Sequence, residues 1–129
     1  MEFHNVVAKT LYDTKGASPD TCTAIEFMKT RVQANDEDDW GMLVHLMQYL
    51  RGTRNLSVTL SANVSGILKW WVDALFAVHP NIRGHSGGGL YLGSGFPIVS
   101  STKQKINTKI SIDTEIAGVD DFMSAIFWT

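Results

Sequence analysis

The sequence predicts a small protein of the α/β class in its α+β form, with helices beside an antiparallel sheet. Two observations support this prediction. The first half of the 129 residues repeats apolar side chains at helical spacing, whereas the second half has short apolar runs separated by glycine-rich turns. A further helical pattern follows from Ser111 onward. We therefore expect helices first, then a three-stranded meander, and then one more helix.

Composition and charge narrow the classes of function. Apolar residues make up 44% of the chain and charged residues 19%, with a net charge of -2, which is ordinary for a soluble globular protein. A contact with nucleic acid would therefore need a local basic patch. Cys22 is the single cysteine, so an intrachain disulfide and a zinc-binding cysteine cluster are excluded. Without a signal-peptide pattern or a membrane-spanning run, we expect a soluble intracellular protein, with cytoplasm and nucleus both open.

Two helices are predicted in the first half. Ser18-Pro19-Asp20 is a helix-start signal, and the apolar positions after it predict a helix from about Pro19 to about Arg31. The second helix is predicted from Asp38 to Arg51. The acidic run 35–39 lacks the glycine and the spaced ligands of a calcium loop, so we interpret it as the start of this helix. Residues 1–17 carry a helical stripe that is too short to be stable alone.

The strands are predicted from short apolar runs. Leu56–Leu60 alternates with period two, and Ile67–Val78 has the near-continuous apolar character of a buried central strand. Asp73 lies near the middle of that run, where a buried carboxylate is costly unless it is paired, protonated or bound to a metal. The alternative is that the strand ends at Val72 or Asp73 and leaves the acid exposed. A hairpin follows, with strands at 90–92 and 97–100.

The last segments are a basic loop and a helix. Residues 101–109 are polar and include Lys103, Lys105 and Lys109, a pattern that fits either contact with a phosphate backbone or a solvated face. Gly87-Gly88-Gly89 precedes a strand rather than a helix, so we reject a phosphate-binding loop there. The helix that begins at Ser111 has a set of apolar positions that we expect to face inward: Ile116, Val119, Met123, Ile126 and Phe127.

A pair of carboxylates is the main candidate for chemistry. A strand–meander–helix unit can fold its helix back over the sheet, which would bring Glu115 in the first helical turn near Asp73. Two carboxylates at one place repel each other, and a hard divalent cation relieves that repulsion. Two alternatives are weaker. A zinc site from His79, His85 and Asp73 matches no strong zinc spacing. A hydrolase that uses Ser86 lacks the elbow motif.

Several segments together resemble one known family, the copia-type LTR-retrotransposon polyproteins. The resemblance to their ribonuclease H domain is carried by Trp70–Ala74, Ser101–Lys109 and Asp113–Ile116. Upstream segments resemble the part of these polyproteins that joins the reverse transcriptase thumb and connection to that domain: Ser18–Asp20, Thr30–Val32 and Tyr49–Thr53. The resemblance runs collinearly through nearly the whole chain.

The resemblance implies a ribonuclease H-like fold at residues 56–129, preceded by a thumb/connection-like helical segment at residues 1–55. It also implies hydrolysis of the RNA strand of an RNA–DNA hybrid by two Mg²⁺ (or Mn²⁺) ions. Asp73 and Glu115 would be the catalytic metal ligands. Lys103, Lys105 and Lys109 would lie near the hybrid backbone. The partners implied are the hybrid and the rest of the polyprotein.

The chain also departs from the family pattern. A third acid, in an Asp-Asn motif at the end of a fourth strand, and a further acid later would lie beyond Thr129, and the polymerase acids would precede Met1. Ile112 replaces a capping-type threonine, and Leu75 replaces a small polar residue next to the metal acid. We therefore expect a truncated fold with a half-built metal site and no significant nuclease activity alone. The alternative is a non-catalytic nucleic-acid-binding or structural remnant of a decayed element.

Overall fold

The computed structural model describes residues 2–129 and contains both helices and antiparallel strands. The mixed class that the sequence predicts is therefore confirmed. The chain separates into two compact units, Met1–Val58 and Thr59–Thr129. The first unit is helical, and the second holds the sheet and the last helix.

Unit 1 consists of three helices, α1 (Phe3–Gly16), α2 (Cys22–Lys29) and α3 (Glu37–Thr53), with a 3₁₀ turn at Pro19–Thr21 before α2. Both helices predicted in this half are present, although the first of them ends at Lys29. The helical stripe near the N-terminus forms a full helix because its apolar side chains are buried in the core of the unit. That core contains Phe3, Val7, Ile25, Met28, Leu43 and Leu46.

A network of charged groups begins α3. Asp36 accepts a hydrogen bond from the Asp39 N–H at 2.9 Å, and the Asp39 carboxylate accepts one from the Asp36 N–H at 3.0 Å. The Arg31 Nε donates to both oxygens of Asp39, which is 2% exposed. The Asp39 N–H holds the pKa of Asp36 below its usual value, with Arg31 adding to the effect. The interpretation of the acidic run as a helix start is confirmed.

Unit 2 contains five strands and one helix: β1 (Ser61–Ala62), β2 (Lys69–Leu75), β3 (His85–Tyr91), β4 (Gly93–Ser94), β5 (Ile98–Lys103) and α4 (Ser111–Trp128). The main sheet has the order β2-β3-β5 and is antiparallel throughout, so the predicted meander is confirmed. The predicted strand Leu56–Leu60 is wrong. Those residues are exposed and have no regular structure, and the only pairing nearby joins β1 to β4.

The prediction that the Asp73 strand is buried and central is also wrong. β2 lies at the edge of its sheet and ends at Leu75. Trp70, Val72 and Ala74 are half-buried, whereas the residues that alternate with them are exposed, Asp73 included. Apolar residues on both sides of a strand predict two covered faces. In this sheet α4 covers one face only, and β3 pairs with one edge only.

The side of helix α4 that packs on the sheet differs from the inner positions that the sequence predicts. Its buried positions are Thr114, Gly118 and Phe122. A Cβ at Gly118 would lie 3.0 Å from the Cβ of Ala74, so glycine permits a closer approach of the helix to β2. The larger apolar side chains that we expected inside are exposed at Ile116, Val119, Met123 and Phe127, and half-buried at Ile126.

Replacing Asp39 by alanine is expected to destabilise unit 1 by about 2 kcal/mol. The change removes one half of the capping box and leaves the Arg31 guanidinium without its buried carboxylate. Asp38→Ala is the matched control, since Asp38 is an exposed acid in the same helical turn. Amide hydrogen exchange of α3 measures both effects. Equal protection factors in the two variants would contradict the role given to Asp39.

Replacing Gly88 by alanine is expected to destabilise unit 2 by about 1–3 kcal/mol, because overpacking forces neighbouring groups to move. A Cβ at Gly88 would lie 2.8 Å from Cε1 of the buried Phe122 ring. The neighbouring Gly87 has open space at the Cβ position, so Gly87→Ala is the control and should have little effect. Urea unfolding followed by circular dichroism compares the two. A larger loss from Gly87→Ala would show that α4 does not pack as described.

Candidate functional site

The candidate site lies on what we call the open face, the side of the β2–β3–β5 sheet that points away from α4. Asp73 belongs to this face because Ala74, the next residue along β2, points toward Gly118 of α4. The strand register aligns Asp73 with Gly87 and Gly87 with Ser101, so these residues form one row across the three strands. Asp73 is exposed, and its Oδ1 accepts a hydrogen bond from the Ala74 N–H at 2.8 Å.

Glu115 lies on α4, on the other side of the sheet. The helix folds back over the meander, as expected, and its early turns lie near the C-terminal end of β2, since a Cβ at Gly118 would be 3.7 Å from the Asp73 carbonyl oxygen. Glu115 is exposed beside the buried Thr114. Asp73 therefore lies on the open face, and Glu115 belongs to the helix that covers the other face. Their roles as metal ligands stay a prediction.

Few side chains near the candidate site could act as ligands of a metal ion. Within residues 2–129, no group of three or more His, Cys, Asp or Glu side chains is arranged to hold a metal. Hard divalent cations take six or more oxygen ligands, several of which are carboxylates in strong sites. The residues described here therefore do not fit a two-metal centre by themselves. The zinc alternative from His79, His85 and Asp73 lacks support for the same reason.

The three candidate lysines are spread over the end of β5 and the loop after it. Lys103 is half-buried and opposite His85 in the strand register, on the open face. Lys105 and Lys109 are exposed in the segment between β5 and α4. The structure therefore leaves two of these ammonium groups free to meet an anionic surface, and it places the third close to the row that contains Asp73.

Three buried polar side chains, His79, His85 and Ser101, form a chain of contacts that the sequence did not predict. His79 lies in the loop after β2 and is 3% exposed, and its Nε2 is 2.9 Å from Nδ1 of His85. The His85 Nε2 is in turn 2.6 Å from the Ser101 Oγ. Burial lowers the pKa of His79 to about 4, with the nearby charges of Lys103 and His85 adding to the effect. The proline- and glycine-containing loop between the histidines, which folds the chain back, is the one sequence signal for this contact.

A second buried network joins α4 to the sheet. The Gln104 Nε2 donates to the Ser86 Oγ at 3.0 Å and to the Thr114 carbonyl oxygen at 2.9 Å. The Ser86 hydroxyl donates to Asp121 at 2.7 Å. Gln104 is 1% exposed and Ser86 is fully buried. Ser86 is therefore a buried structural residue and is not accessible as a nucleophile.

Comparison of the chain with protein-family profiles, with curated proteins and with solved structures finds no match. The resemblance carried by the motifs around Asp73 and Glu115 thus supports proposals only. In the part of the chain that the structure describes, no helix has both the length and the apolar character needed to cross a membrane.

Unit 2 is expected to lose stability as the pH falls from 6.5, the ordinary pKa of histidine, toward about 4, the pKa of His79 in the folded protein. Because its pKa is lower in the folded state, the neutral ring stabilises the fold above pH 6.5, and protonation of the unfolded state removes that contribution below it. His79→Gln should flatten this dependence, and the exposed His45→Gln in unit 1 should not. Hydrogen exchange of β3 amides against pH measures the slope. An unchanged slope in His79→Gln would contradict the assignment.

Proposed function

We propose that this chain is part of a ribonuclease H-like unit of a retrotransposon polyprotein that acts on RNA–DNA hybrids and that it does not hydrolyse RNA by itself. One observation carries the proposal. Helix α4 crosses the antiparallel meander with its early turns beside the β2 segment that bears Asp73. The resemblance leads us to expect this arrangement, with one acid on the first meander strand and the next acid on the following helix.

The inactivity of the chain alone follows from the placement of its acids. Asp73 is exposed on the open face, whereas Glu115 is exposed on the helix that covers the opposite face. The family pattern contains further acids that have no counterpart among the residues described. Two exposed carboxylates without further protein ligands bind a divalent cation weakly, because water competes for the ion. We therefore derive no metal-dependent step for this chain.

Contact with the hybrid is supported by side chains around the open face. Trp71 is 61% exposed on this face, and exposed aromatic rings stack on bases or sugars. Lys105 and Lys109 add exposed positive charge, which attracts a phosphate backbone in a salt-dependent way. The same features favour the second candidate, a non-catalytic nucleic-acid-binding or structural remnant. The two candidates differ in whether cleavage appears when the further acids of the family pattern are supplied.

The chain is expected to show no cleavage of a labelled RNA–DNA hybrid with Mg²⁺ or Mn²⁺ above the background without enzyme. Asp73→Asn and Glu115→Gln test the two predicted ligands, and Asp113→Asn is the control, an exposed acid in the first turn of α4. Cleavage that is lost in the first two variants and retained in the third would overturn the proposed inactivity.

The same experiment, repeated with a chain extended through a further Asp-containing motif of the family, separates the two candidates. Cleavage that appears in the extended chain and disappears with Asp73→Asn supports the ribonuclease H proposal. Hybrid binding without cleavage in both chains, measured by fluorescence anisotropy and weakened by Lys105→Glu with Lys109→Glu, supports the non-catalytic remnant. If neither chain binds or cleaves the hybrid, both nucleic-acid roles are contradicted.

A further inference from the structure

The loop between β2 and β3 returns over the open face and covers part of it. We call residues 76–83 of this loop the strap. Its His79 ring packs against the His85 ring of β3, with ring centroids 5.1 Å apart. His79, His85 and Ser101 are all buried, although α4 lies on the other face of the sheet. The strap therefore supplies cover for this end of the open face.

The backbone of the strap is strained at two positions. Ala77 and Ile82 have φ angles of 54° and 61°, in the left-handed region that residues with a Cβ rarely adopt. For a β-branched residue such as Ile82, this conformation is a clear outlier. Such conformations persist only where the surrounding contacts hold them, and they are common in segments that switch between two arrangements. The strap is therefore held in place against a conformational cost.

His79 is the buried anchor of the strap. Its N–H donates to the Arg83 carbonyl oxygen at 3.2 Å, and its own carbonyl oxygen accepts a hydrogen bond from the Ile82 N–H at 2.8 Å. Its ring is 3% exposed, with Nε2 at 2.9 Å from Nδ1 of His85. The large apolar side chains of the strap contribute less to its attachment, because they are exposed: Phe76, Val78 and Ile82.

Positive charge on this anchor is unfavourable. Burial lowers the pKa of His79, and the charges of Lys103 and His85 lower it further. Only one proton can lie between the two ring nitrogens, so protonation of both rings breaks their contact. The charged and titratable groups around the anchor come from each neighbouring element: His85 on β3, Lys103 on β5, Arg83 in the strap and Asp73 in the adjoining row of β2. Asp73 is the one acid among them, and solvent screens its exposed carboxylate.

We propose that the strap is an acid-released cover: when the histidine pair gains protons, residues 76–83 lift from the open face while the β2–β3–β5 sheet stays folded. Lifting relieves the backbone strain and uncovers His85 and Ser101 beside the row that contains Asp73. The sheet does not depend on the strap, because its ladders and its contacts with α4 involve β2, β3 and β5. Gly84 stays with the sheet, since its carbonyl oxygen accepts a hydrogen bond from the Gln104 N–H. The inference does not rest on the proposed function.

Hydrogen exchange of the strap amides, corrected for intrinsic exchange rates, measures the opening. The His79 and Ile82 N–H groups are the reporters, because both donate hydrogen bonds within the strap. The pKa of His79 is about 4 in the closed strap and returns toward 6.5 in water, so the equilibrium constant for opening should rise about a hundredfold between pH 7 and pH 4. Amides of β3 should exchange more slowly and with a stronger dependence on urea, because their exposure requires unit 2 to unfold.

Two matched pairs of variants separate the charge from the strain. Lys103→Met should keep the strap closed to lower pH, because it removes a cation near the His79 ring, and the exposed Lys105→Met is the control. Ile82→Gly should reduce opening at every pH, because glycine adopts a φ of 61° without strain. Val78→Gly should increase opening, because Val78 is outside the left-handed region and glycine there only adds freedom to the open strap.

Three results would overturn the proposal. Strap amides that exchange together with the β3 amides, at the same rate and with the same urea dependence, would show that unit 2 opens only as a whole. Strap exchange that does not change between pH 7 and pH 4 would remove the role of the histidine pair, and so would a His79→Gln variant that keeps the wild-type pH dependence. Circular dichroism at pH 4 should retain the signal of the folded sheet.

Discussion

The close approach of α4 to the sheet is the constraint on which the rest of unit 2 depends. Gly118 lets the helix backbone come near Ala74, and Gly88 leaves room on β3 for the Phe122 ring. Gln104 then joins β3 to α4 through buried hydrogen bonds. Buried polar groups that are bonded to each other in this way specify one arrangement of their elements. With α4 held on one face, Asp73 lies exposed on the other face, part of which is covered by His79 and Phe96.

Much of the secondary structure follows from the sequence because local physics decides it. The acids at the start of α3 and the glycine-rich turns between strands act within a few residues of where they stand. The strand predicted at Leu56–Leu60 failed because alternation alone does not provide a partner for the ladder. The helix predicted from Pro19 ended early at Lys29, as helix ends depend on a turn or two of local contacts.

The buried face of each helix or strand was harder to predict than the helix or strand itself. β2 has large apolar side chains on both sides, Trp70 and Val72 on one and Trp71 and Leu75 on the other. The charged residues Lys69 and Asp73 lie on the side away from α4. In α4 the exposed apolar stripe contains Ile116, Val119 and Met123, whereas the buried stripe contains Thr114, Gly118 and Phe122, so hydrophobicity predicted the wrong face. Gly118 allows the helix to approach β2 closely, and the Phe122 ring fills the space over Gly88. The side of the sheet to which Asp73 points depends on the same choice, and spacing along the chain cannot reveal it.

The three consecutive glycines of β3 make the middle strand of the sheet unusually thin. Gly88 leaves its space to Phe122 on one face, Gly89 leaves its space to Phe96 on the other, and the position of Gly87 is empty. Two aromatic rings, one from α4 and one from the segment between β4 and β5, thus replace the side chains that a central strand normally supplies. The packing of the middle strand therefore depends on side chains from outside that strand. At Gly87 the main chain itself forms the floor of a notch between Asp73 and Ser101.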